Sequence, residues 1–338
     1  MTATALRNPR GANIYSGSRD SRFISSRRVR NHELYSWSMK GKSTDNMLQL
    51  SESGRRPNPS WCAWRRAYVG VTSALGNFDQ RQSIRDTWGS DFSESGHTLR
   101  FFVGSSPDEP IISKVREENL VHHDVVILNS SDSYYSLTNK TIGIIREAVS
   151  EEGSYSHLIK ADDDTYVRVE NLEKHIGNVC VFRGGDIVVR AIPPPEPIYV
   201  NHFLFGHIER KTKPERGIKH KYYVSKYKYP FVYYPAYAQG FMYIMDFELA
   251  RDLARRELQS SFTMEDVSLG GWIQSHKLDV AFINDPAMSH HRGCADSHVG
   301  SHRMSPTDMH CVHHNSTKGC ECMTADHVLP TDNSSIDL

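Results

Sequence analysis

Neither sign of charge dominates this chain. Its 338 residues include 40 basic and 40 acidic side chains, for a formal net charge of +0. The basic excess by which nucleic-acid binders hold phosphate is therefore missing. Long apolar runs are missing too: no stretch is long enough to span a bilayer, and no secretory h-region is visible. Hydrophobic residues make up 38% of the chain, a share low enough that part of it has no core to join. No internal repeat is evident.

The part without a core is the beginning. Over residues 1–60 the sequence is rich in Ser, Arg, Asn and Gly, and Ile14, Phe23 and Leu34 are scattered without period. This reads as a disordered basic arm. A transit peptide is the alternative, because Arg and Ser are abundant and acids few. The six cysteines are Cys62, Cys180, Cys294, Cys311, Cys320 and Cys322. An even count fits disulfides in a secretory compartment. Cys320 and Cys322 are too close for the usual zinc knuckle pair, although the Cys/His-rich end as a zinc-binding interaction module stays open. Sequons at Asn129, Asn139, Asn315 and Asn333 matter only on the secretory route.

Between these ends, strand and helix patterns alternate. Buried strands are predicted at Tyr68–Ser73, Leu99–Gly104, Val125–Leu128 and His157–Ala161. Helical stretches are predicted at Arg81–Trp88, Ile111–Leu120 and Leu137–Val149, the last with Thr141, Ile144, Ile145 and Ala148 on one face. Further on, Gly184–Val189 suggests a turn into a strand, and Ile192–Pro197 an irregular segment. Lys211–Lys228 suggests a basic surface hairpin or loop. Phe241–Met245 and Val280–Ile283 read as strands, Phe247–Leu258 and Thr263–His276 as helices. The alternation argues for an α/β sheet with crossover helices. One catalytic domain is expected over 61–314, followed by a flexible tail over 315–338.

The chemistry concentrates in a few places. Asp162, Asp163 and Asp164 directly follow a predicted buried strand. Adjacent carboxylates repel, and a hard divalent cation is a reason to keep them together. Ligands of open α/β sheets bind beyond the carboxyl ends of strands, and alternation lets Asp162 and Asp164 face the same side. A polar turn is the plainer reading. Arg81, Arg85 and Trp88 recur at helical spacing; two guanidinia beside an indole suit a nucleotide diphosphate, whereas a solvated basic helix with a core Trp needs no ligand. Glu265 and Asp266 open a predicted helix. Thr263 and Asp266 have capping-box spacing, so Asp266 is either a cap or a general base, ionised at neutral pH beside the helix N-terminus. Tyr234, Tyr237 and Gly240 combine aromatics with a rigid turn, which suits either a sugar ring or ordinary packing.

Read in order, Arg-x-x-x-Arg-x-x-Trp, the run from Asp132 to Thr141, the aspartate triplet, Tyr-Pro-x-Tyr-x-x-Gly and Glu-Asp-Val-x-x-Gly resemble the β-1,3-galactosyltransferase family, with its N-acetylglucosaminyltransferase and Fringe-like relatives. The similarity runs from about Tyr68 to Met309. It implies a GT-A-like nucleotide-sugar transferase fold with a mixed central sheet flanked by helices. It also implies a UDP-sugar donor, a divalent metal (usually manganese), a glycan or glycoprotein acceptor, and transfer of a hexose, galactose first, with inversion into a β-1,3 linkage. Carried over by motif, Arg81, Arg85, Trp88, Asp162 and Asp163 belong to the nucleotide site, and Asp162, Asp164 and a late histidine to the metal. His302 is the best match for that histidine, with His290, His291 and His298 as rivals. Asp266 is the catalytic base, and Tyr234, Tyr237, Gly240 and Glu265 face the sugar or acceptor. Ala238-Gln239 departs from a stretch that is often glycine-rich in the family. The resemblance further implies a Golgi-lumenal enzyme anchored by an N-terminal membrane helix. None is visible, so a soluble or truncated chain is expected. A metal-dependent phosphohydrolase and a silent carbohydrate-binding relative are the other functional readings.

Overall fold

The computed structural model describes residues 66–133, 136–151, 153–176, 179–181, 187–189, 198–259, 264–289 and 295–315. The expected N-terminal arm, the Ile192–Pro197 segment, and the expected tail beyond Asn315 lie outside these residues. The elements are β1 (Ala67–Thr72), α1 (Phe78–Asp86), α2 (Trp88–Glu94), β2 (Thr98–Ser105), α3 (Glu109–His122), β3 (Val125–Ser131), α4 (Leu137–Ser150), β4 (His157–Asp162), β5 (Tyr166–Val167) and α5 (Val169–Ile176). They continue with β6 (Val179–Val181), β7 (Ile187–Val189), β8 (Ile198–Val200), β9 (His202–Glu209), β10 (Tyr237–Asp246), α6 (Phe247–Ala254), α7 (Glu265–Ser275), β11 (Val280–Asn284), β12 (Met288–Ser289), β13 (Gly300–Ser301) and α8 (Pro306–Asn315).

Seven strands form one sheet in the order β11-β9-β10-β4-β1-β2-β3. β1 runs parallel to β2 and β4, and β2 parallel to β3. β10 is antiparallel to β4 and β9, so the sheet is mixed, as expected. Two small sheets accompany it, β12-β13-β5 and β6-β7-β8. Both faces of the central strands are covered, which is why β1 and β4 read as continuous apolar runs. On one face Val69, Val71, Ile159 and Ala161 pack with Ile84, Trp88, Phe92, Met309 and Val312. On the other, Tyr68 and Leu158 pack with Ile144, Phe247, Leu269 and Trp272. The second face also carries the site, since Lys160 and Asp162 share a side of β4 with Leu158.

One expected helix is interrupted, the basic segment takes the loop form of its expected hairpin or loop, and further elements appear. The helix predicted over Arg81–Trp88 breaks at Thr87, where φ is −124° and ψ is −120°; Trp88 begins α2 and is fully buried. The segment 211–228 is an irregular loop with one isolated bridge, Glu215 to Tyr223. β9, α5 and α8 were not anticipated. β9 gains its identity from pairing with β10 and β11, which are far away in sequence. Among the described residues no helix is long and apolar enough to cross a membrane.

Gly70 sets the distance between β1 and α4. A Cβ there would stand 2.4 Å from Ile144 Cγ2, well inside van der Waals contact. Gly70→Ala is expected to destabilise the fold by about 1–3 kcal/mol, the usual cost of overpacking. Chemical denaturation checks this. Combining it with Ile144→Ala should cost less than the sum of the two single changes, and strict additivity would refute the contact.

Candidate active site

β4 delivers Lys160 and Asp162 to the carboxyl end of the sheet. One oxygen of Asp162, Oδ1, accepts from Thr72 Oγ1 at 2.6 Å and from Lys160 Nζ at 2.5 Å. Asp163 turns the other way: its Oδ2 accepts from Ser73 Oγ at 2.7 Å and Asn77 Nδ2 at 2.9 Å. Burial lifts its carboxyl above the ordinary range, although these donors pull in the opposite direction. The Asp164 carbonyl accepts from Met304 N at 2.8 Å. This bond draws in the turn at residues 301–304, where Arg303 adopts a left-handed φ of 61°. His302 Nε2 thereby stands 3.3 Å from Asp164 Oδ1, its ring stacked on Phe241 at 5.2 Å. One ligand atom each from Asp162, Asp164 and His302 lies within 4.8 Å of the others. Of the rival histidines, His298 instead meets Ser301 Oγ at 3.1 Å, and His290 and His291 lie outside the described residues.

Lys160 joins this cluster to α7. Its ammonium is buried and also meets Glu265 Oε1 at 3.0 Å and the Gly240 carbonyl. Burial opposes its charge, but Asp162 and Glu265 outweigh that and hold its pKa above the ordinary lysine value. Glu265 is itself buried, and its Oε2 accepts from Thr141 Oγ1 at 3.0 Å and Tyr243 OH at 3.3 Å. A Cβ on Gly240 would stand 2.4 Å from Glu265 Oε1, so the missing side chain is what admits Glu265. Glu265 and Gly240 are thus engaged with each other through Lys160 at the wall of the cleft, which both residues line.

Asp266 is half-buried, and its Oδ1 accepts from Val267 N at 2.8 Å. The N-cap of α7 is Met264, without a side-chain cap bond, and the capping partner Thr263 lies outside the described residues. Burial first, and then the Glu265 carboxylate, push the Asp266 carboxyl up to about 7. The expectation that the helix N-terminus keeps it fully ionised at neutral pH is corrected: desolvation and a like charge outweigh the helix end. Tyr234 and Tyr237 pack on Val267, and both border the cleft.

The cleft has two lobes that share Leu137 and Asp162. The larger, of about 520 Å³, is lined by Lys160, Glu265, Asp266 and His302 together with Lys213, Lys221 and Arg303. The smaller, of about 480 Å³, is lined by Thr72, Ser73, Asn77, Asp132 and all three aspartates. Lys140 and Asp132 build its wall. Lys140 Nζ bonds Asp132 Oδ1 at 2.5 Å and the Ser73 carbonyl at 2.7 Å, and Asp132 Oδ2 accepts from Leu75 N at 2.6 Å. Lys140 and Asp132 lie in the run from Asp132 to Thr141 and Lys160 in the strand read over His157–Ala161, and no role was expected of any of them. The available signal was a lysine inside a buried strand, since lysine is almost never fully buried unless paired.

Arg81 and Arg85 do not line either lobe. Arg81 is fully buried; its guanidinium meets Glu118 at 2.7 Å and donates to Ser73 Oγ and the Ala74 carbonyl. Arg85 bonds Glu118 and Asp124, each at 2.8 Å, with its guanidinium over the Phe101 ring. Trp88 is in the core. The expectation of direct nucleotide contact is corrected for all three: Trp88 is enclosed in the core, the charges of Arg81 and Arg85 are matched by acids behind the cleft, and Arg81 acts on it only by bracing the loop at Ser73–Leu75.

The galactosyltransferase family model matches residues 79–285. This chain belongs to the galactosyltransferase family. It is 29% identical over 264 residues to the hydroxyproline O-galactosyltransferase GALT2 of Arabidopsis thaliana, covering 75% of this chain and 35% of that protein. It is 24% identical over 248 residues to β-1,3-galactosyltransferase 1 of Mus musculus, covering 72% of this chain and 71% of the mouse protein. The chain spans about a third of the length of the plant relatives it matches. Among solved structures, a glycosyltransferase involved in glycosylation of the major capsid of PBCV-1 matches at a TM-score of 0.39 and 12% identity, over 72% of this chain and 97% of that one.

For this galactosyltransferase-family chain, Arg81→Ala would leave Glu118 buried beside fewer cations. Stability is expected to fall by about 3–5 kcal/mol, the cost of breaking a buried pair from one side, as read by urea denaturation. Unchanged stability with lost UDP binding would restore the direct-contact reading.

Proposed function

We propose that this chain transfers a hexose, galactose first, from a UDP-sugar to a hydroxyl of a glycan or glycoprotein, inverting the anomeric centre and forming a β-1,3 linkage. One observation carries the reading: a cation-ready trio (Asp162, Asp164, His302) and the Asp266 carboxylate belong to one cleft. The names of the plant and mouse relatives support galactose and, for the mouse relative, the β-1,3 linkage.

Two carboxylates and one imidazole form a donor set that fits manganese or another divalent cation. Bound there, the ion supplies Lewis-acid charge against the departing diphosphate. The chain's own groups do the rest. The lobe walled by Ser73, Asn77 and Asp132 takes the nucleotide. Lys213, Lys221 and Arg303 place positive charge along the cleft, where charge develops on the leaving group. Asp266 takes the proton from the acceptor hydroxyl as its oxygen forms the new bond to the anomeric carbon and the bond to UDP breaks. A pKa near the working pH is what a general base needs. A single displacement, with no covalent sugar on the protein, inverts the centre. The Golgi lumen is the proposed compartment, and the disulfide-bonded state of Cys311 fits an oxidising lumen.

A donor screen with manganese, read by UDP release and by NMR of the product linkage, tests the reading. UDP release that ignores the acceptor would favour the phosphohydrolase. Asp164→Asn is expected to abolish manganese-dependent transfer while melting like the parent; transfer that survives it, or survives EDTA, would remove the metal from the reaction.

Asp266→Asn is expected to slow transfer by at least about a hundredfold, within the usual range for losing a general base. UDP binding should persist. In the parent protein, kcat should fall with one-proton dependence as pH drops below about 7, and at a lower pH with the cation bound, because added positive charge favours the carboxylate. The stability sign is the reverse. A folded pKa above the unfolded value keeps the proton on the folded chain, so this contribution is present at low pH and is lost as pH rises through about 7. At pH 8 the metal-free Asn variant should therefore melt at or above the parent. Retained turnover would move the base to another carboxylate, Glu265 first.

A further inference from the structure

The connection from β9 to β10 borders the cleft and carries an unusual surface. Between residues 211 and 233 it holds six lysines, with Glu215 its only acid, and five tyrosines interleaved with them. Among the described residues Lys211, Lys213, Lys219, Lys226 and Lys228 form no ion pair, and all five are exposed. Large apolar groups are exposed beside them: Tyr227 at 99%, Ile218 at 81%, Val232 at 66% and Phe231 at 65%.

The loop nevertheless has an internal frame. Arg216 donates to the carbonyls of Val224, Tyr229 and Phe231 at 2.6, 2.8 and 3.2 Å. Tyr229 lies against Phe231 and Tyr234 and donates to the Tyr233 carbonyl at 2.8 Å. The arginine is thus used inwardly as a staple, and the lysines and remaining rings are turned outward. In a chain of zero net charge this is a local, one-signed, aromatic surface. Its inner edge, Lys213, Lys221 and Tyr222, already lines the cleft.

We propose that this loop recognises acidic glycan acceptors, sugar chains bearing carboxylate or sulfate groups, with lysines on the anions and aromatic faces on the rings. This rests on the transferase reading and adds the acceptor class to it. Charge complementarity chooses the anion. Continuity with the cleft chooses the glycan, because an acceptor whose end enters the cleft must continue over this surface. A lipid surface would instead favour an amphipathic helix with separated apolar and basic faces, whereas Lys226-Tyr227-Lys228-Tyr229 interleaves cation and ring.

The test compares hexagalacturonate with its methyl ester, which has the same rings without the charges, by calorimetry on the whole chain. The parent is expected to bind the acid at least tenfold more tightly, with the preference fading as salt rises. The triple variant Lys219→Ser, Lys226→Ser, Lys228→Ser, which leaves the cleft lining untouched, should lose that preference and keep both ester binding and manganese affinity. Equal binding of acid and ester by the parent, or an unchanged preference in the variant, overturns the proposal. So does lysine-dependent binding to phosphatidylserine vesicles without binding to the hexamer. UDP release across a donor panel is measured in parallel: no turnover with the acid preference intact sinks the transferase reading and upholds the anionic glycan surface.

Discussion

The buried ammonium of Lys160 is the interaction on which the cleft depends. It ties Asp162 at the end of β4 to Glu265 at the start of α7 and to the Gly240 carbonyl between them. A buried ion pair is weak evidence for stability, because desolvation can exceed the attraction. Its consequence here is positional. Without the cation, two carboxylates would repel across the gap between strand and helix, and α7 could not approach. With it, Asp266 is carried to the cleft on the next residue. The proximity of Glu265 then raises the Asp266 pKa, so one lysine shapes both the proposed cation site and the proposed base.

The mixed sheet supplies the rest of the geometry. The parallel half, β1 to β4, opens its carboxyl ends toward the lobe lined by Ser73, Asn77 and Asp132, as open α/β sheets do. β10 then returns antiparallel beside β4, and its pairing with β9 shifts register between Ala238 and Tyr243. The irregular stretch includes Gly240, where Glu265 and Lys160 meet the strand. Bulges next to sites re-aim the chain, and here the shifted stretch includes Gly240, a position at the site that must lack a side chain.

Legibility in the sequence followed the range of the forces involved. β1, β2, β4 and α4 were readable because burial on their faces writes a local apolar pattern. β9 and α8 were not, because their partners are distant in sequence and their own composition is mixed. Asp162 and Asp164 were readable as a cation pair from strand alternation, whereas His302 was anticipated only through resemblance; the Met304–Asp164 bond that brings the histidine across depends on tertiary packing. The guanidinia of Arg81 and Arg85 looked like phosphate ligands because sequence shows the cation and hides Glu118 and Asp124 on α3 and the turn after it. The raised pKa of Asp266 was missed for the same reason: helix position is local, and desolvation is not.

The charge balance of the cleft also bears on the proposed cation. Lys160 contacts two carboxylates, so its single charge cannot neutralise both, and Asp164 adds a third acid beside His302. A nucleotide diphosphate entering this lobe adds further negative charge next to aspartates that already repel one another. Arg81 and Arg85 are paired behind the cleft, with Glu118 and Asp124. A cation bound by Asp162 and Asp164 lowers the cost of bringing in the diphosphate, and the diphosphate in turn improves the cation's site. Linkage makes that coupling reciprocal: each ligand must raise affinity for the other by the same factor. Under the proposed function, donor binding and metal binding are thus two halves of one electrostatic event, in which the ligands offset the repulsion within the acidic triplet.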